Sequence, residues 1–208
     1  RWMIRAVARI MVPGCQADYI LTLEGEQGIG KSKCFQVLGG NHFSDGLPDV
    51  HTKDARDHVR GTWIIEFSEL GQMNRSDIEA IKAFTTRREE RFRPAYGRNE
   101  IVYPRQCVFC GTTNKTEYLR DETGNRRFWP VKVTAIDIEG LVRDRDQLWA
   151  EAVNRYHRGE PWHIEDQSII AVAEAEQNHR YLADAWEQHI APYVFGKEKI
   201  TVGDVLTG

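Results

Sequence analysis

The stretch that decides the fold is LEGEQGIGKS at residues 23–32, in which three glycines precede a lysine and a serine. Gly25, Gly30, Lys31 and Ser32 fit the spacing G-x-x-x-x-G-K-[ST] of loops that cradle the phosphates of a nucleotide. The apolar stretch YILTLE comes before the loop, and the helical pattern KSKCFQVL follows it. Strand, glycine loop and helix are the context that this motif requires, so the sequence predicts a P-loop NTPase core.

The glycine loop supplies the predicted nucleotide contacts. Glycines let backbone N–H groups turn toward a phosphate, and the following helix adds the positive end of its dipole. We expect Lys31 to reach the β- and γ-phosphate oxygens of ATP and Ser32 to ligate Mg²⁺. ATP and Mg²⁺ are therefore the expected cofactors. The predicted nucleotide-binding residues are Gly25, Glu26, Gln27, Gly28, Ile29, Gly30, Lys31, Ser32 and Lys33.

A second apolar stretch, TWIIEFSEL at residues 62–70, predicts a buried strand that carries Glu66 and ends before Glu69. A nucleotide triphosphatase needs an acid near the end of a neighbouring strand, to hold the water shell of the metal and to polarise the attacking water. We assign Glu69 to water activation and Glu66 to the metal, beside Ser32. The alternative for Glu66 is a solvated residue at a sheet edge.

Two later motifs carry further candidates for catalysis. FCGTTN ends an apolar strand at Asn114, whose amide could contact the γ-phosphate or the attacking water, although an ordinary turn has the same pattern. DETGNRRFWPV pairs Arg126 with Arg127 before another strand, and arginine suits the charge on a transferring phosphoryl group. The alternative is a surface pair that caps the local acids Asp121 and Glu122.

The stretch TRREERFRPAYGRNEIVYPR at residues 86–105 mixes arginines with aromatic residues around the turn PAYGRN. Cations can contact phosphates, and aromatic rings can stack on bases. The pattern predicts a hairpin that binds DNA through Arg91, Arg93, Tyr96 and Arg98. The alternative is a solvated hairpin whose arginines pair with Glu89, Glu90 and Glu100.

Composition limits the class of protein. The chain has 208 residues, 41% of them hydrophobic, and a net charge of −3, which allows one good core and a smaller appendage. It contains no run of about 18 apolar residues, so we expect no membrane span. Its four cysteines do not suggest a secreted disulfide framework, and a reducing cytoplasm is expected. Cys107 and Cys110 lie in a predicted strand and should point to opposite faces, which favours core packing over zinc or redox use.

Strand patterns alternate with helical patterns over residues 1–136 and predict an α/β fold, a largely parallel sheet flanked by helices. Residues 137–208 have long helical patterns instead, so we expect a C-terminal helical appendage that stops before a small DNA-binding module. The chain opens at Arg1 and is interpreted as part of a longer protein.

Five stretches together resemble the virulence-associated protein E family of phage, prophage and genomic-island replication proteins. They are LEGEQGIGKS, KDARDHVRGTWIIEFSEL, IKAFTTRREERFRPAYGR, PRQCVFCGTTN and LRDETGNRRFWPV, and they span most of residues 1–150. The ATPase domain of that family is similar to superfamily 3 helicases of the AAA+ group. The resemblance implies a hexameric ring in a bacterial host cell, often with an upstream primase domain.

The resemblance also implies roles for single residues. Lys31 and Ser32 match the first nucleotide motif, Asn114 matches the sensor asparagine, and Arg126 or Arg127 would be an arginine finger for the neighbouring subunit. Glu66 and Glu69 lie at the second motif, spaced Glu-x-x-Glu rather than adjacent, which leaves open which one is catalytic. We therefore expect an ATP-driven, ring-forming DNA helicase-like motor. A P-loop small-molecule kinase and a nucleotide-gated interaction module are the alternatives.

Overall fold

The computed structural model describes residues 1–93, 99–119, 125–182, 190, 193–196, 199, 201 and 203. Its helices are α1 (Trp2–Met11), α2 (Lys31–Gly39), α3 (Lys53–His58), α4 (Arg75–Thr86), α5 (Ile138–His157) and α6 (Gln167–Asn178). Its strands are β1 (Ile20–Glu24), β2 (Phe43–Ser44), β3 (Ile64–Phe67), β4 (Glu89–Phe92), β5 (Ile101–Pro104), β6 (Val108–Thr113) and β7 (Phe128–Lys132).

The main sheet has the strand order β2-β3-β6-β1-β7, and every pairing in it is parallel. Parallel neighbours cannot be joined by a tight turn, so helices cross between the strands. The chain is therefore a mixed α/β protein with a parallel sheet flanked by helices, which confirms that part of the expected fold class. Because β1, β3 and β6 are neighbours, the segments after their carboxyl ends meet at one edge.

Apolar side chains pack on both faces of this sheet. On one face Phe109 packs among residues of α3 and α4, and on the other Leu23 packs with α1 and α2. Cys107 lies in the first cluster and Cys110 in the second, and both are fully buried. Within the described ranges, no three metal-ligating side chains form a group. The two cysteines thus pack in the core on opposite faces, as strand alternation requires.

Helix α4 begins at a capping box directly after the segment that carries Glu69. The Asn74 side chain accepts a hydrogen bond from the Asp77 amide at 2.9 Å, and the Asp77 side chain accepts one from the Asn74 amide at 3.0 Å. Such a reciprocal pair satisfies two amides at the helix start. The helical spacing of Ile78, Ile81 and Phe84 in NRSDIEAIKAFTT predicts an amphipathic helix with these residues on one face. Ile78 and Phe84 are completely buried there.

The predicted hairpin is present as the antiparallel pair β4–β5. Its base is held by Arg105, whose guanidinium is buried, ion-paired with Glu90, and donates to the Phe84 carbonyl at 2.6 Å. Arg9 of α1, also fully buried, donates to the carbonyls of Arg105 and Arg87 at the same base. The hairpin is therefore fixed to α4 and to α1.

The C-terminal helices pack directly on the rest of the chain. Trp149 of α5 lies against Trp63, with 4.3 Å between ring centroids, and its indole N–H donates to the Leu38 carbonyl. Gln177 of α6 donates to the Phe128 carbonyl at 2.9 Å. Among the described helices, none combines the length and apolarity needed to cross a membrane.

Candidate functional site

The glycine loop connects β1 to α2 at the carboxyl edge of the sheet. Gly30 has φ +91°, a left-handed conformation that side chains rarely adopt, and it caps α2. Gly25 lies so close to the chain after β7 that a Cβ atom there would come within 2.3 Å of the Val133 carbonyl oxygen. The loop thus needs glycine at both ends of its motif, while the tip at Glu26, Gln27 and Gly28 is exposed.

Lys31 is the first residue of α2 and is 7% exposed. Its ammonium donates to the carbonyls of Gly25 at 2.8 Å and Glu26 at 2.6 Å, and to Asn114 Oδ1 at 2.8 Å. Burial lowers the pKa of Lys31, and the carboxylates of Glu69 and Glu66 oppose that shift. The lysine therefore joins the loop to the segment after β6, with both acids close enough to act on its charge.

Glu66 is buried in β3 and is 1% exposed, so the alternative of a solvated edge residue is wrong. Strand β3 lies between β2 and β6 in the sheet. Its Oε1 accepts hydrogen bonds from the Ser32 hydroxyl at 2.7 Å and the Thr112 hydroxyl at 2.6 Å. The loop and two neighbouring strands thus meet at one carboxylate oxygen.

The other oxygen of Glu66 suits a cation. Among the described residues, this buried Oε2 has no hydrogen-bond partner, and the residue lines a cavity beside Asp45 and Asp49. A buried carboxylate oxygen costs free energy unless something satisfies it. A hydroxyl and a carboxylate in contact are ligand types that Mg²⁺ accepts, since it prefers oxygen and keeps several waters. Ser32 and Glu66 therefore fit a hydrated magnesium ion.

Glu69 differs from Glu66 in exposure and backbone. It lies two residues after β3, is exposed, and has φ +56°, a left-handed conformation uncommon for a residue other than glycine. Its Oε2 accepts a hydrogen bond from Gln72 at 3.2 Å. Strained backbone of this kind is frequent at functional sites. An exposed carboxylate near Lys31 can accept a proton from water.

Arg126 and Arg127 lie at the opposite edge of the sheet from the glycine loop. They directly precede β7, whose first residue pairs with Ile20 at the start of β1. Five residues of strand span about 16 Å, so a side chain there does not reach the loop of its own subunit. Arg127 donates to the Thr86 hydroxyl at 3.1 Å, whereas Arg126 is exposed. The acids suggested as their partners, Asp121 and Glu122, lie outside the described residues.

The arginines proposed for DNA contact lie on the β4–β5 hairpin. Arg91 and Arg93 are exposed, and Arg91 is 3.9 Å from Glu89. Tyr96 and Arg98 lie outside the described residues. Arg91 and Arg93 are therefore exposed cations, but the stretch also has three ion pairs of the kind that the alternative predicts: Arg91–Glu89, Arg87–Glu90 and Arg105–Glu90.

Two groups of residues at this edge carry no role in the sequence motifs. Thr112, which contacts Glu66, is visible in the sequence only as one of two threonines before Asn114. Glu24 is 5% exposed and accepts hydrogen bonds from Tyr118 at 2.8 Å and from Arg180. No local pattern could have found this group, because Arg180 is 156 positions from Glu24.

The family model described as "Virulence-associated protein E-like domain" matches residues 1–181. The chain belongs to this family. The match confirms the resemblance based on the five sequence stretches, and the virulence-associated protein E-like domain includes every site residue discussed above. No curated protein matches the chain.

Solved structures share the fold of this virulence-associated protein E-like domain. The A-form apo structure of the NrS-1 C-terminal region has a TM-score of 0.54 at 14% identity, covering 84% of this chain and 46% of that one. A second apo structure of the same region has a TM-score of 0.51 at 17% identity, covering 93% of this chain and 49% of that one. The chain thus spans about half the length of these structures, and at such identities the likeness concerns the fold alone.

Proposed function

We propose that the chain is an ATP-hydrolysing, ring-forming DNA helicase-like motor that acts in the replication of a phage, prophage or genomic island. Its family membership supports the replication setting. The observation that carries the enzymatic part is the pair of contacts Lys31–Asn114 and Ser32–Glu66, which join the glycine loop to two neighbouring strands. This is the arrangement expected of a P-loop NTPase core related to AAA+ proteins.

Each side chain then has a defined task. Lys31 and the loop amides hold the β- and γ-phosphate oxygens of ATP, and Ser32 and Glu66 hold Mg²⁺. The ion, when bound, neutralises charge on the phosphates. Asn114 orients a water molecule, and Glu69 accepts its proton as the water oxygen bonds to the γ-phosphorus. The bond from that phosphorus to the bridging oxygen breaks, and ADP leaves with the electron pair.

The position of the paired arginines supports the proposed ring. Neither can serve the loop of its own subunit, whereas a neighbour in a ring can present its loop to them. Arg126 suits the role of arginine finger better than Arg127, because Arg127 is engaged with Thr86. A closed ring of identical subunits uses one head-to-tail interface, which puts such a finger beside every loop. A hexamer is the number that the family resemblance implies.

The hairpin is the proposed DNA contact, with Arg91 and Arg93 on phosphates of single-stranded or forked DNA. Its base is connected to the ATP site through α4, because Arg105 contacts Glu90 of the hairpin and the Phe84 carbonyl of the helix. The N-cap of helix α4, Asn74, lies five residues after Glu69. A conformational change at Glu69 during ATP hydrolysis can therefore be transmitted through α4 to the hairpin. We also propose that the motor acts in the cytoplasm of a bacterial host cell, together with an upstream primase domain.

The test is the rate of ATP hydrolysis with and without single-stranded DNA, across protein concentration. A motor with a finger from the neighbour should gain activity per subunit as rings assemble, and DNA should stimulate it further. Arg143, exposed on α5, provides a matched control substitution, Arg143→Ala, with unchanged behaviour. A rate that is indifferent to both variables would instead support a small-molecule kinase with a site inside one subunit.

A further inference from the structure

Arg180, just past the end of α6, contacts the residue that directly precedes the glycine loop. Its guanidinium is ion-paired with Glu24, the last residue of β1, and is 12% exposed. The Tyr118 hydroxyl donates to the same carboxylate oxygen at 2.8 Å. Within the described ranges, Arg180 is the only cation in ion-pair contact with Glu24. A buried carboxylate next to Gly25 therefore depends on a side chain from the C-terminal region.

The backbone around Arg180 is attached at a second place. We call residues 180–182 the C-terminal strap. The Arg180 carbonyl accepts hydrogen bonds from the amides of Tyr118 and Leu119, both at 3.0 Å, and the Leu182 amide donates to the Leu119 carbonyl at 2.8 Å. Tyr118 and Leu119 are buried and lie a few residues after Asn114. The strap thus contacts the chain close to Gly25 and Asn114, which are two of the three hydrogen-bond partners of Lys31.

We propose that Arg180 is a positioning residue for the glycine loop, and that its ion pair with Glu24 couples docking of the C-terminal strap to nucleotide binding. The inference rests on the proposed function, because it concerns the same loop. Loss of the guanidinium leaves the Glu24 carboxylate buried without a cation, which is unfavourable. The carboxylate would then turn toward water and displace Gly25, whose carbonyl accepts from Lys31.

Coupling of this kind is reciprocal. If strap docking strengthens ATP binding, then ATP binding must strengthen strap docking by the same factor. The amides of Tyr118 and Leu119 report on docking directly, because both donate to the Arg180 carbonyl. A side chain that contributes only to overall stability would not make exchange at these two amides depend on the nucleotide.

The experiment measures the Kd of a fluorescent, non-hydrolysable ATP analogue with Mg²⁺ on the full chain. Arg180→Met should raise this Kd about 10- to 100-fold, which lies within the usual range of coupling between two sites. The double variant Arg180→Met with Glu24→Gln should recover most of the loss, because no buried charge remains. The control Arg155→Met removes an exposed ion pair on α5 and should leave the Kd unchanged. If Arg180→Met does not fold, Arg180→Gln, which also removes the cation, replaces it with the same expected rise in Kd.

Hydrogen exchange at Tyr118 and Leu119 should slow when the analogue binds the wild type, and it should not respond in Arg180→Met. The inference is overturned if Arg180→Met binds the analogue with the same Kd as Arg155→Met, or if the double variant restores none of the lost affinity. It is also overturned if the analogue does not change hydrogen exchange at Tyr118 and Leu119 of the wild type. A wild type that binds no analogue at all would overturn the proposed function itself. The two failures are therefore distinguishable.

Discussion

The carboxyl edge of the sheet and the β4–β5 hairpin both concentrate charge, but they hold it differently. At the edge, Lys31 is 7% exposed with three acceptors, and Glu66 is 1% exposed. On the hairpin, Arg91 and Arg93 are exposed to water. A buried charge is fixed in place, and its removal leaves its buried partners without a counter-charge. An exposed charge is screened by water and salt and contributes little to stability. Substitutions at the edge should therefore abolish or nearly abolish ATP hydrolysis. Substitutions on the hairpin should reduce DNA affinity gradually and in a way that depends on salt.

The largest effect is expected for Lys31→Ala, which should reduce ATP hydrolysis to the level of a blank reaction. The ammonium is the one point charge that the loop offers to the β- and γ-phosphates, so ATP loses its main anchor. Lys31 is buried, so the folded state must be verified from the thermal midpoint. Lys53→Ala, on the exposed start of α3, is the matched control. Wild-type turnover in a pure Lys31→Ala sample would contradict the assignment of the loop.

The second-largest effect on ATP hydrolysis is expected for Arg126 and Arg127, at the opposite edge of the sheet from the glycine loop. Arg126→Ala should lower turnover by about 10³- to 10⁵-fold, the range for an arginine finger, without loss of ATP binding. Arg127→Ala should have the smaller effect, because this side chain is bound to Thr86. Hydrolysis and analogue binding are measured in the same samples.

Mixing separates a finger in a neighbour from a site within one subunit. Arg126→Ala subunits keep an intact loop, and Lys31→Ala subunits keep an intact arginine. Neither should turn over alone, but the mixture should regain some activity. If light scattering detects mixed assemblies and no ratio restores hydrolysis, the arginine-finger assignment fails.

The two acids should separate binding from turnover. Glu69→Gln should bind ATP almost normally and lose about 10²- to 10⁴-fold in turnover, because the amide cannot accept the proton of the attacking water. Glu66→Gln should instead weaken Mg²⁺-dependent binding, since this buried carboxylate contacts Ser32. Titrations of ATP and Mg²⁺ measure both, with Glu79→Gln on the surface of α4 as control. The opposite pattern would reverse the two roles.

The hairpin should respond weakly and in proportion to salt. Arg91→Ala with Arg93→Ala should reduce affinity for single-stranded DNA and lower the log–log salt slope by about 0.7 per lost phosphate contact. ATP binding should not change. Arg75→Ala with Arg143→Ala removes two exposed arginines elsewhere and is the matched control. Unchanged affinity and slope would mean that the hairpin arginines are ordinary surface residues.

The smallest effect concerns pH. Burial lowers the pKa of Lys31, and Glu69 opposes that shift most strongly. Since Lys31 binds phosphate as a cation, ATP affinity should fall as pH rises through its pKa. Glu69→Gln removes a neighbouring negative charge, so the pKa of Lys31 should fall further and the alkaline loss of ATP binding should begin at lower pH. Binding curves of the wild type and Glu69→Gln that coincide at alkaline pH would show that Glu69 does not act on the lysine.

Local patterns predicted much of the fold because they depend on neighbours in sequence. Strand alternation put Cys107 and Cys110 on opposite faces, and the spacing of Ile78 and Phe84 marked the buried face of α4. Strand limits were less accurate: β3 begins at Ile64 rather than Thr62. Ends of strands depend on pairing with neighbours, which local patterns do not contain.

By itself, the sequence determined the glycine loop, the helices and strands around it and the family of the chain, because spacing and turn chemistry are local properties. Only the tertiary structure decided which distant groups meet. It buried Glu66 against Ser32, brought Asn114 to Lys31 across 83 positions, and tied Glu24 to Arg180 across 156. These contacts follow from the order of parallel strands and from the packing of α6, and no residue encodes either one locally.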